Sequence, residues 1–357
     1  MSDLQLSLLM IGAVVVGAVF IYNWVQERSL RRRLQQSFGE AHHDILLKAG
    51  RDATLGDGRL EPQLVAGAPA HRPEGPHAIA DETAAGFDEV LDYVAGIAAE
   101  ATISDALVGE LVSRIASCGK PARARGFDRQ RGAWEDIVRG VGGRYTRLRA
   151  GLQIVNRAGP VNTAQLAAFC DAIRQCAEKV PAAAVECPDA QAALKLARDL
   201  DAFCATVDVA IGVNIIAPEG EAFSGTRIRA AAEAAGFKLE PDGVFHYRAG
   251  GRQTLFTLDN HEPAPFLPES IKGLTTSGIT LLLDVPRVSN GGEVLARMLG
   301  VAEILAGALD GRLVDDNRAV LSEAGISRIT QQLGSIQAAM AARDVPAGGA
   351  RALRLFS

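Results

Sequence analysis

The sequence predicts an α+β protein: an N-terminal transmembrane helix, then two tandem two-layer domains, each an antiparallel sheet with helices on one face. Three observations predict it. An uncharged apolar run lies near the N-terminus, several strand-length segments alternate apolar with small or polar residues, and one order of elements occurs twice. The 357 residues leave room for one to three domains, and a hydrophobic fraction of 48% suffices for real cores. A net charge of −5 argues against a nucleic-acid partner. The five cysteines, Cys118, Cys170, Cys176, Cys187 and Cys204, contain no CxxC pair, which argues against a disulfide framework or a zinc site.

The first element is the anchor. No charged residue falls between Leu6 and Val25, and a helix of about 20 residues crosses the roughly 30 Å hydrocarbon layer. The transmembrane helix is therefore assigned to residues 4–25. Tyr22 and Trp24 stand at its end, where amphipathic rings favour the membrane interface. Asp3 precedes the run, and Arg28, Arg31, Arg32 and Arg33 follow it. A cleaved signal peptide has the opposite charge order and a small-residue cleavage site. The expectation is a single uncleaved span with the N-terminus outside and the bulk of the chain cytoplasmic. Residues 26–47 read as a basic juxtamembrane helix and residues 48–85, rich in Ala, Gly, Pro and charge, as a flexible linker.

Beyond the linker the chain repeats an order of elements, β-α-β-β-β-α-β-α. The stretch "LDYVAGIAAEATISDALVGELVSRIASCGKPARARGFD" aligns with "VDVAIGVNIIAPEGEAFSGTRIRAAAEAAGFKLEPDGV", Asp92 against Asp208. A second block aligns Gly151 with Gly278, and the difference in offset is assigned to one longer hairpin in the second copy. Alternation in "VDVAIGVNII" and "GITLLLDV" predicts strands with one face on a core and the other open. Ser224 and Asn290 mark the expected helix starts in the second copy. The domains are placed at 86–205 and 206–343, with 344–357 as a tail.

Residues 206–343 carry "AAEAAGFKLEPDGVFHYR", "LFTLDN", "LTTSGITLLLDVPRV" and "LVDDNR". In order and spacing they resemble the C-terminal domain of the ZipA family of bacterial cell-division proteins. The anchor, basic flank and linker are similar to that family too, and the first copy resembles it only through the second. The resemblance implies a non-enzymatic inner-membrane anchor at the division site. It would bind the C-terminal tail of FtsZ, partly helical, across the open sheet face. By motif position it implies a binding face of Ala210, Gly212, Asp242, Val244, His261, Thr280 and Leu282, with Arg318 at the rim. Asp242 and His261 depart from the family, which places apolar groups there. The alternatives are a tethered scaffold for another division or envelope protein, or a sensor or enzyme using a cleft between the copies.

No catalytic constellation supports an enzyme, and no cofactor or metal is expected. His42, His43, His71 and His77 fall in the juxtamembrane stretch or linker, and His246 and His261 form no HxxxH pair. "RGVGGRY" lacks phosphate-loop spacing. Asp315 and Asp316 read as turn or surface acids, and the Arg-rich run from Lys120 to Arg149 as a solvated loop face.

Overall fold

The computed structural model describes residues 86–137, 144–248, 250–251, 253–315 and 318–357. The expected transmembrane helix, juxtamembrane helix and linker lie outside them, with Tyr22, Trp24, Arg28, Arg31, Arg32 and Arg33. Among the described residues no helix is long and apolar enough to cross a membrane. Both sheets fall within one compact unit, Thr83–Ser357.

The first sheet is built from β1 (Asp92–Ile103), β2 (Ala122–Asp128), β3 (Ala133–Asp136), β4 (Tyr145–Gln153) and a later strand, β7. A short hairpin, β5 (Val155–Asn156) and β6 (Gly159–Pro160), follows β4. The helices are α1 (Asp105–Ala116), α2 (Thr163–Glu178) and α3 (Ala190–Val207), and β7 is Ala184–Glu186. The strand order is β3-β2-β4-β1-β7, and every pairing is antiparallel. Tyr93, Ala95 and Ile97 point inward from β1, and Leu148, Ala150 and Leu152 from β4. Helix α2 starts with a capping box. Asn162 accepts from the Gln165 backbone N–H at 2.9 Å, and the Gln165 side chain accepts from the Asn162 N–H at 3.1 Å.

The Arg-rich run is not a solvated loop. Much of it forms β2, β3 and β4, because basic and aromatic residues alternate with small and apolar ones. Arg149 is buried and pairs with Glu186 at 3.0 Å, and Arg147 lies 3.9 Å over the Phe127 ring.

The second sheet has the order β10-β11-β12-β14-β8-β15. Its strands are β8 (Ala210–Ile216), β10 (Phe237–Leu239), β11 (Phe245–Tyr247), β12 (Phe256–Asn260), β14 (Gly278–Asp284) and β15 (Arg312–Val314). A separate pair, β9 (Phe223–Ser224) and β13 (Thr275–Thr276), sits beside it. Helices α4 (Gly225–Ala234), α5 (Gly291–Leu309) and α6 (Glu323–Ala342) bury Ile228, Val294, Leu295, Met298, Leu305 and Leu333 in the core. Ser224 caps α4 by accepting from the Arg227 N–H at 3.4 Å. Asn290 precedes α5 in the left-handed region, φ 53°, without a side-chain cap.

The structure corrects the proposed repeat alignment. The blocks β4-β1-β7 and β14-β8-β15 run in the same spatial order. The strands between are wired differently: β2, first after α1, lies beside β4, whereas β10, first after α4, lies at the sheet edge. The second copy therefore differs by an added strand and a changed order, not by one longer hairpin. Register makes the same point. Gly151 pairs with Val94, close to Asp92, but Gly278 pairs with Ile216, at the far end of β8 from Asp208. The two alignments cannot both hold.

Residues 344–357, expected to be a tail, carry α7 (Ala350–Leu355) and close the first core. Met340, Val345, Ala352, Leu355 and Phe356 are all buried there. The Arg354 guanidinium binds buried Asp92, and Arg351 pairs with Asp88 at 2.7 Å. Between the two sheets, Arg157 Nη2 reaches both Asp208 and Asp284 at 2.7 Å.

Phe356→Ala is expected to lower the stability of the first domain by about 3–5 kcal/mol, since Phe356 is a fully buried aromatic. Urea unfolding of the full chain, read by Trp134 fluorescence in a Trp24→Phe background, measures it.

Candidate functional site

The pleat of β8 and β14 separates two faces. Ile211, Val213, Ile215, Ile279, Leu281 and Leu283 point into the core and are no more than 4% exposed. Their neighbours in sequence point the other way, away from the core that α4, α5 and α6 fill. Strand register orders this open face into rows. One row runs Lys238, His246, Thr257, Leu282, Gly212. The next runs Asp259, Thr280, Asn214, Val314. Val244 extends this second row beyond Asp259, because Phe245 pairs with Leu258. Gly278 faces Ile216, and Ala210 faces Asp284.

Of the residues expected at the site, Ala210, Gly212, Thr280 and Leu282 share this face on adjacent strands, all half-buried. Val244 lies on the same face just before β11. Asp242 occupies the β10–β11 turn, which Gly243 closes at φ +81°, a conformation that favours glycine. His261 directly follows β12: its N–H donates to Gly278 O at 3.1 Å, and its Nδ1 lies 3.4 Å from Thr280 Oγ1. Arg318 is set apart, exposed after edge strand β15 with φ +60° and its N–H donating to Asp315 O.

Sequence reasoning missed the outward residues of β11 and β12, namely His246, Thr257 and Asp259, and Asn214 of β8. The alternation in "LFTLDN" was the available signal. Phe256 and Leu258 are buried, so Thr257 and Asp259 must face outward. Thr280 Oγ1 donates to Asn214 Oδ1 at 2.7 Å, fixing the middle of the face. Asp242 accepts from the Val244 N–H at 3.2 Å and contacts His246 Nε2 at 2.9 Å; His246 Nδ1 lies 3.1 Å from Thr254 Oγ1. The Arg248 guanidinium holds the Glu240 carboxyl below its ordinary range. Asp259 differs. Burial pushes its carboxyl above the ordinary aspartate range, against the opposing hydrogen bond from Thr257 Oγ1 at 3.0 Å. Among the described residues it has no ion-pair partner.

Glu240, Asp242 and His246 bring possible metal-ligand atoms within 4.8 Å of one another, a grouping that the search for close His and Cys spacings did not find. Arg248 and the Val244 N–H already engage the two carboxylates. The five cysteines are free thiols.

The sheet is backed by helices on one side and presents small, apolar and polar groups on the other. Residues 209–332 match the family model described as "ZipA, C-terminal FtsZ-binding domain". The chain is similar to "Cell division protein ZipA" of Marinobacter nauticus, at 28% identity over 34% of this chain and 37% of that protein. The protein of the same name from Shewanella loihica is 31% identical over 31% of this chain and 34% of its own. That from Ectopseudomonas mendocina is 26% identical over 39% and 52%. The match thus spans between a third and about half of these relatives. The similarity to the ZipA family lies in residues 209–332, the part of the chain that holds the second sheet.

Asp259→Asn is expected to stabilise the protein at neutral pH. With its folded-state pKa raised, the carboxyl favours folding when protonated, and that advantage is lost as pH rises through the raised value. Asparagine stays neutral throughout. Urea midpoints of the two proteins should separate at pH 7 and converge below about pH 4, the ordinary aspartate range.

Proposed function

We propose that this protein is a non-enzymatic membrane anchor of the cell-division ring, whose second domain binds the C-terminal tail of FtsZ. The observation that carries the reading is the extent of the family match: residues 209–332 include all the strands of the open face. The tail lies across Ala210, Gly212, Val244, Thr280 and Leu282, with Asp242 and His261 beside it and Arg318 at the rim. Ala210 and Gly212 keep the surface low, so a peptide backbone approaches closely. Val244 and Leu282 supply the apolar contact, worth roughly 1.5–3 kcal/mol for each side chain fully buried. The apolar segment 4–25 spans the inner membrane with its N-terminus periplasmic, so the binding domain faces the cytoplasm at the division site. Many tethers on one polymer turn weak contacts into strong attachment through effective concentration.

Asp242 and His261, polar where the family is apolar, favour a second reading: a scaffold for a different division protein. Binding of a fluorescent FtsZ tail peptide to the full chain in nanodiscs separates the two. Saturable binding that Leu282→Asp weakens about tenfold or more supports the first, the loss of one buried apolar contact being of that size. Unchanged affinity in Leu282→Asp removes the open face from the site, and no binding to the unaltered chain leaves the second reading.

A further inference from the structure

The acids on and around the open face fall into two kinds. Asp242 contacts His246 and the Val244 N–H, Glu240 has Arg248, Asp284 has Arg157, and Glu262 accepts from the Ser277 N–H and hydroxyl. Each has a donor that neutralises or solvates it. Asp259 has the Thr257 hydroxyl as its one side-chain hydrogen bond among the described residues, and beyond it only the charge of His246 at longer range. It stands near the centre of the sheet, with Thr280 directly opposite and Val244 in register on the other side. Neither neighbour carries charge. The lysine and arginine on the neighbouring strands stand far off. Lys238 is two strands away at the β10 edge, about 10 Å at the usual strand spacing, and Arg312 is three strands away on β15. His246, one strand over, already contacts Asp242 and Thr254, and the His261 ring is turned to Thr280.

We propose that Asp259 reads charge on the bound peptide: the segment that lies on this face presents a lysine or arginine side chain to the Asp259 carboxylate. The inference rests on the peptide-binding reading above and adds the chemistry of the ligand. A peptide that covered Asp259 with an apolar or neutral side chain would strip water from a carboxylate already short of partners, a cost that nothing else on the face offsets. A cationic side chain supplies a charge-assisted hydrogen bond, made stronger by the partial burial of the site. Discrimination thus comes from a penalty on the wrong ligand as well as a contact with the right one. Leu282 and Val244 would then give grip without selectivity, and Asp259 selectivity at a cost to the unbound fold.

The test uses the full chain in nanodiscs with two fluorescent peptides: the FtsZ C-terminal tail, and the same peptide with every Lys and Arg replaced by Gln. The unaltered protein should prefer the first by about tenfold or more, the scale of one desolvated charge pair. Asp259→Asn should weaken the first peptide and abolish the preference without weakening the second. Asp259→Lys should reject the natural tail and accept one with Glu at its basic positions. Urea midpoints confirm folding, and the near-isosteric Asn variant decides the question if the Lys variant does not fold. An undiminished preference in Asp259→Asn, or equal loss for both peptides, overturns the inference while tail binding and its sensitivity to Leu282→Asp stand. No binding of the tail to the unaltered chain overturns the FtsZ reading and this inference together.

Discussion

Seven residues of β14 lie against β8 in unbroken register, from Gly278 opposite Ile216 to Asp284 opposite Ala210. The second domain depends on this pairing. It aligns Ile279, Leu281 and Leu283 with Ile215, Val213 and Ile211 on one side, so the core forms as a continuous apolar surface. A slip of one residue would turn the whole set outward, and burial of so many aliphatic groups sets the register firmly. The open face is the other side of the same constraint. Gly212, Leu282, Thr280 and Asn214 are neighbours there because their core-facing partners are neighbours beneath.

The same logic explains what was legible in the sequence. Period-two alternation in "VDVAIGVNII" and "GITLLLDV" gave strands and faces together, so Ala210, Gly212, Thr280 and Leu282 could be placed on one surface before any coordinates. Ser224 marked a helix start because capping is local chemistry; Asn290 also stands at a helix start, though its side chain makes no cap. Strand order was not legible. β10 and β11 are three residues each, and nothing in such short segments encodes which neighbour they join. The repeat alignment failed for that reason, pairing residues by likeness where hydrogen-bonded register disagrees. Asp259 is outward because it follows buried Leu258 in the strand, but the family motif points only to His261, the residue after that strand. Arg318 was assigned by motif position, and the chain carries it to the turn beyond an edge strand, where alternation has no hold.

The two sheets are joined by more than the peptide link at α3. Arg157, on the hairpin after β4, is held between Asp208 and Asp284, the carboxylates at the matching ends of β8 and β14. The two carboxylates raise the already high guanidinium pKa, so Arg157 stays charged. Its acids sit at the Ala210 end of the open face, so the first domain fixes one border of the surface assigned to the peptide.

Helix α7 sets an order of events in the making of the protein. The first core takes Ala352, Leu355 and Phe356 as its last pieces, and these lie beyond every residue of the second sheet. A nascent chain can assemble β8 to β15 while the earlier sheet still lacks part of its filling. Of the two sheets, the one that emerges earlier from the ribosome is therefore completed later. Any interruption of translation within the second domain would leave behind an unfinished first one, an apolar surface that cellular quality control can recognise.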